Sequence, residues 1–215
     1  MSNKKTKFKI AGLPKAQGLY NPVNEHDACG VGMVLDIKNR ASFDIVEKGL
    51  AMLCNLEHRG AVGADPKAGD GSGLLIQIPH KFLEKKVSKN FSLPEPGNYA
   101  VGVMFIPDNE NDDEKIKKLV EDVCTKEGVK ILGWRHCPTY TKELGWSVLP
   151  STPIVYQLFL EKPETEKSQD DFERKLYILR RCIEKAVLEI SNDIKEGFYI
   201  PSFSSRTILY KGMVL

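Results

Sequence analysis

The sequence predicts an α+β fold, and three observations lead there. Apolar runs of strand length occur over residues 31–37, 74–78, 99–106, 129–134 and 153–161. Residues 42–60, 80–87, 113–126 and 170–191 carry apolar side chains at helical spacing. The two kinds of segment interleave neither as a simple strand–helix repeat nor as an all-strand series.

Each element has a local reason. The run at 31–37, with Val31, Met33, Val34, Leu35 and Ile37, is apolar enough for a buried strand. Ser42 then supplies an N-cap, and Ile45, Val46, Leu50, Leu53 and Cys54 give a helix leading to Arg59 and Gly60. Residues 61–73 read as a loop, because Gly63, Pro66, Gly69, Gly71 and Gly73 punctuate them. A strand over 74–78 ends at Pro79, before a short helix over 80–87. Residues 99–106, 113–126 and 129–134 read as a β-α-β unit. Pro138, Gly145, Pro150 and Pro153 mark a long excursion, followed by a strand over 153–161 and a long amphipathic helix over 170–191. Strands over 198–203 and 207–211 close the series.

Composition narrows the class. The 215 residues are 41% hydrophobic, enough for a sizeable core. A balance of 31 basic against 29 acidic residues leaves a formal net charge of +2, which points away from nucleic acid. No run approaches the ~18 apolar residues of a membrane span. The leader lacks the apolar centre of a secretion signal. Cys29, Cys54, Cys124, Cys137 and Cys182 form no Cys-x-x-Cys pair, so neither an iron–sulfur cluster nor a zinc ribbon is expected, and reduced thiols in a cytoplasmic protein are. His26, His58, His80 and His136 form no metal-ligating pair, and no metal is assigned.

The most informative residue is Cys29, in the run His26-Asp27-Ala28-Cys29-Gly30-Val31-Gly32. If residues 1–28 are removed as a leader, Cys29 carries a nucleophilic thiol and a free α-amine on one carbon. An α-amine has a reference pKa of about 7.7–8.0, suited to a general base near neutral pH, whereas a backbone amide has no basicity to offer. On spacing alone, a lone Cys before Gly is more often a small buried residue. The glycine-rich run 69–73 is likewise open to two readings, a site wall or an ordinary turn. It lacks the Gly-Lys-Ser/Thr ending of a phosphate cradle.

Four motifs in register carry a resemblance. They are Cys29-Gly30-Val31-Gly32, Leu56-Glu57-His58-Arg59-Gly60-Ala61, the run from Ala64-Asp65-Pro66-Lys67 to Gly69-Asp70-Gly71-Ser72-Gly73, and Ser204-Ser205-Arg206-Thr207 with the residues up to Met213. In order and spacing this set resembles the class II glutamine amidotransferase domain of glutamate synthase large subunits. The resemblance implies a four-layer α/β/β/α sandwich of the N-terminal-nucleophile hydrolase type, with residues 1–28 as leader or propeptide and 29–215 as the domain. It implies that Cys29 attacks the side-chain amide of L-glutamine, giving a thioester and ammonia before water releases glutamate. It places Arg206, Arg59, Thr207 and Gly30 at the substrate, with Arg206 on the α-carboxylate and Arg59 supporting the nucleophile loop. Asp70, Gly71 and Gly73 become a site-wall loop.

The resemblance also bears on what lies beyond. Related domains continue into a strand bearing His-Asn-Gly-Glu, whose Asn side chain and Gly amide form the oxyanion hole, and the sequence stops at Leu215 before it. The expectation is a domain incomplete at its C-terminus, with impaired chemistry. FMN and an iron–sulfur cluster are expected only in further synthase domains, which join a small electron-donating subunit as expected partners. No nucleic acid or membrane partner is expected. Two readings stay open: the glutaminase portion of a glutamate synthase, or a non-catalytic remnant or interaction module that keeps the fold.

Overall fold

The computed structural model describes residues 15–18, 21, 30–56, 64–65, 67–68, 71–108, 112–190 and 197–213. The chain forms two units, residues 1–33 and 34–215. In the first, residues 30–33 have no regular secondary structure.

The described residues of the second unit form ten regular elements. In chain order they are α1 (Phe43–Asn55), β1 (Gly71–Gln77), α2 (His80–Val87), β2 (Tyr99–Ile106), α3 (Asp112–Lys126), β3 (Ile131–His136), β4 (Ile154–Glu161), α4 (Gln169–Leu188), β5 (Tyr199–Ser204) and β6 (Thr207–Met213). A 3₁₀ turn at Leu149–Ser151 interrupts the excursion between β3 and β4. The strands form a four-stranded sheet in the order β3-β4-β2-β5 and a two-stranded sheet of β1 and β6. Every pairing is antiparallel. Strands β2 and β3 run parallel, as a β-α-β unit requires, but β4 lies between them as their common antiparallel partner.

Strand β2 shows why the core divides into two. Its side chains alternate between faces, and both faces are covered. Ala100, Met104 and Ile106 join Ile116, Val120 and Cys124 of α3 and Phe172, Leu176, Leu179 and Ile183 of α4. Tyr99, Val101 and Val103 point the other way, to Leu83 and Val87 of α2, Phe159 of β4 and Ile208 of β6. Helices α3 and α4 therefore cover one face of the four-stranded sheet, while α2 and the two-stranded sheet cover the other.

Two sequence expectations are corrected. Residues 31–37 form no strand, and Leu35 and Ile37 are 59% and 96% exposed. An apolar run becomes a strand only when a neighbouring strand takes up its backbone hydrogen bonds, and no described strand pairs with this one. Gly71 and Gly73 lie in β1 rather than in a loop, paired with Met213 and Lys211. They need no positive φ there. Gly73 instead permits close approach, since a Cβ at that position would lie 3.1 Å from the Tyr210 carbonyl oxygen. Ser42 occupies the N-cap of α1 in extended backbone, but its side chain makes no capping hydrogen bond.

Candidate active site

The chain crosses from one sheet to the other at Ser204-Ser205-Arg206-Thr207, between β5 and β6. The N-terminal two turns of α4 hold this crossing. Ser168 caps the helix by accepting from the Asp171 N–H at 3.1 Å, and the Asp171 carboxylate accepts from the Ser168 N–H at 3.1 Å. Such reciprocal capping stabilises a helix start by about 1 kcal/mol. It fixes the helix start from which Gln169, Asp170 and Glu173 project.

Glu173 is the centre of the arrangement. Its Oε1 accepts from the Ser204 hydroxyl at 3.1 Å, the Ser205 N–H at 2.6 Å and the Ser205 hydroxyl at 2.6 Å. Ser204 has one hydroxyl proton, and Glu173 takes it. The lone pairs of that oxygen then accept the N–H groups of Arg206 at 3.0 Å and Thr207 at 3.3 Å. The Arg206 carbonyl accepts from the Ile78 N–H at 3.1 Å, which ties the turn to the residue just after β1. Ser205 is buried, whereas the Arg206 side chain is 47% exposed and meets the Asp170 carboxylate. A rigid backbone thus presents a guanidinium at the surface.

A second constellation ties the excursion down. Asp65 is buried; its Oδ2 accepts from both the N–H and the hydroxyl of Ser147 at 2.8 Å, and its Oδ1 accepts from the Lys67 N–H at 3.1 Å. The Ser147 N–H foremost holds this carboxyl below its ordinary pKa of 3.8. The Gly145 N–H donates to the Lys67 carbonyl at 3.1 Å.

A third lies between the sheets. The buried Gln157 of β4 accepts from Arg135 Nη1 at 2.7 Å and donates to the Tyr210 hydroxyl of β6 at 3.3 Å. Cys137 accepts from the same guanidinium nitrogen at 3.4 Å. Burial raises the pKa of the Cys137 thiol, partly opposed by the Arg135 charge, and burial raises that of the Tyr210 hydroxyl. With both ends of Gln157 partnered, this network joins sheet to sheet.

Of the residues singled out from the sequence, Arg206 and Thr207 lie in the crossing, and Gly71 and Gly73 in the adjoining β1. Gly30 lies in irregular chain of the first unit. Cys29, Arg59 and Asp70 lie outside the described residues. Sequence reasoning gives Glu173 no role because an acid near the start of a helix is ordinary and gives no other signal. Asp65 stood within a recognised motif but received no role. Among the described residues, no three His, Cys, Asp or Glu side chains come together to hold a metal ion. No helix among them is long and apolar enough to cross a membrane.

Comparison with known proteins gives this geometry a context. A family model for class-II glutamine amidotransferases matches residues 29–215. The chain is 44% identical over 204 residues to the glutamate synthase (NADPH) large chain of Bacillus subtilis, covering 94% of this chain and 13% of that one. It is 41% identical over 201 residues to the chloroplastic ferredoxin-dependent glutamate synthase of Oryza sativa, covering 93% and 12%. It is 36% identical over 212 residues to the glutamate synthase (NADH) of Saccharomyces cerevisiae, covering 94% and 10%. The chain therefore spans only a small part of the length of these relatives.

Proposed function

The chain belongs to the class-II glutamine amidotransferases, and from that premise we propose that it is the glutaminase portion of a glutamate synthase, releasing ammonia from L-glutamine. The observation that carries this reading is the family match over residues 29–215, whose first residue is the candidate nucleophile.

In the proposed reaction, removal of residues 1–28 frees the α-amine of Cys29. That amine takes the thiol proton, and the thiolate attacks the side-chain amide carbon of glutamine. The tetrahedral intermediate collapses with cleavage of the C–N bond, and the protonated amine returns its proton to the departing nitrogen, which leaves as ammonia. Water, deprotonated by the same amine, then cleaves the thioester to glutamate and restores the thiol. Arg206 binds the α-carboxylate, for which a planar guanidinium is the fitting shape. Gly30 and Thr207 line the substrate, Arg59 supports the nucleophile loop, and Asp70, Gly71 and Gly73 form a wall.

The reading extends to the fold and the surroundings. The two sheets become the inner layers of an α/β/β/α sandwich, a view supported by the packing of α3 and α4 on one outer face. The partners are L-glutamine, the remaining synthase domains and a small electron-donating subunit; nucleic acid and membranes are not among them. FMN and an iron–sulfur cluster belong to those other domains, as the resemblance to glutamate synthases implies. The place of action is the cytoplasm.

Intact-mass spectrometry tests the proposal, before and after treatment with an electrophilic glutamine analogue. The expected result is loss of the first twenty-eight residues and one adduct, absent from Cys29→Ala. A full-length, unlabelled chain would overturn the glutaminase reading and leave a domain that keeps the family fold without its chemistry.

A further inference from the structure

We propose that Glu173 is a positioning residue for glutamine recognition, acting through Ser204 and Ser205 on the Arg206 guanidinium. This rests on the reading above, in which Arg206 meets the substrate α-carboxylate.

The inference comes from how the turn between β5 and β6 is held. Arg206 is itself exposed and its guanidinium pairs with the exposed Asp170 carboxylate, so packing does not aim its side chain. Its backbone is held by its own N–H on Ser204 Oγ and its carbonyl on the Ile78 N–H. The first of these requires Ser204 to turn its lone pairs inward, and a hydroxyl does so only when its proton is given elsewhere. Glu173 Oε1 is the acceptor of that proton. The same oxygen takes both donors of Ser205, the residue before Arg206. Gln169, one helical turn before Glu173, donates to Ser205 Oγ at 3.4 Å, using the lone pairs left free once the Ser205 proton points at Glu173. One charged oxygen thus orients two hydroxyls and one amide around the residue that reads the substrate, and hydrogen bonds to a charged acceptor are the stronger kind.

A carboxylate is needed because three donors converge on one oxygen. A Gln at this position would still offer a carbonyl oxygen, at the right distance but without the charge. A Leu would offer nothing, leaving the Ser205 N–H without its acceptor and Ser204 free to rotate.

The test uses the full chain and the rate at which an electrophilic glutamine analogue labels Cys29. Protection by L-glutamine is compared with protection by its α-carboxamide counterpart, which lacks the α-carboxylate. In wild type, glutamine should protect at lower concentration. Glu173→Leu should weaken protection by glutamine about tenfold or more, and Glu173→Gln about threefold. Protection by the α-amide should move by less than twofold in either variant. Hydrogen exchange should rise at residues 204–207 while β2 and β4 stay protected. If Glu173→Leu fails to fold, Glu173→Gln decides alone. Equal protection of wild type and Glu173→Gln by glutamine would overturn the proposal, as would an equal loss for both compounds, which marks a general structural role. A wild-type chain that neither compound protects would overturn the glutamine reading itself, and this one with it.

Discussion

Asp65 and Ser147 are joined across 82 residues of sequence by one carboxylate oxygen, which accepts from the Ser147 N–H and hydroxyl at 2.8 Å each. The contact has a steric companion. A Cβ at Gly145 would lie 2.6 Å from Asp65 Cγ, so this excursion approaches the buried acid only because residue 145 has no side chain. Gly145→Ala should destabilise the fold by about 1–3 kcal/mol, the usual cost of overpacking, read from the urea midpoint. Asp65→Ala should expose the excursion around Trp146, already 73% exposed, to faster proteolytic nicking. Unchanged cleavage in Asp65→Ala would mean that the excursion is held by something else.

Acid stability should follow Asp113. The Tyr156 hydroxyl, donating at 2.7 Å, is the main cause holding this carboxyl below 3.8, with Lys117 adding to it. A carboxyl depressed in the folded state contributes stability that is fully present above its unfolded pKa and is lost as pH falls through its folded one. Asp113→Asn should therefore be less stable than wild type at pH 6. The two should converge as pH falls below about 3.8. Parallel stability curves between pH 6 and 3 would show that Asp113 is not a source of the acid slope.

The thiols should divide by burial. Burial pushes the Cys124 thiol up to about 12 and raises that of Cys137, while Cys54 is exposed. Since the thiolate is the reacting form, iodoacetamide at pH 8 should modify Cys54 and spare Cys124 and Cys137 until denaturant is added. Peptide mass mapping of the alkylated chain reads this directly. Labelling of Cys124 as fast as Cys54 would show that the core between α3 and α4 opens under native conditions.

What could be read from the sequence follows how local each cause is. The helix His80–Val87 and the strand Tyr99–Ile106 have the same bounds in both, because periodicity and flanking Pro79 and Gly97 act within a few residues. Gly71 and Gly73 read as loop in the sequence because glycine usually punctuates, yet pairing with β6, over 130 residues away, draws them into a strand. The insertion of β4 between β2 and β3 is likewise a choice of partner that alternation does not encode. Arg206 was legible as part of a motif. Glu173 was not, because its meaning depends on a turn 32 residues later in the chain.

The ion pair between Arg206 and Asp170 makes the last prediction. In this structure the guanidinium proposed to bind the α-carboxylate of glutamine is already engaged by a carboxylate of the same chain. An acidic side chain and a substrate carboxylate ask for the same donors, so glutamine must displace Asp170 before it binds. The cost is small, because Asp170 is 68% exposed and exposed pairs contribute roughly 0–1 kcal/mol. Asp170→Asn should therefore improve protection of Cys29 by L-glutamine by about two- to fivefold at low salt. The gain should fade toward 1 M salt, where the screening length shrinks to about 3 Å and the wild-type pair weakens in any case. A variant that binds glutamine less well at every salt concentration would show that Asp170 steadies Arg206 for the substrate instead of competing with it.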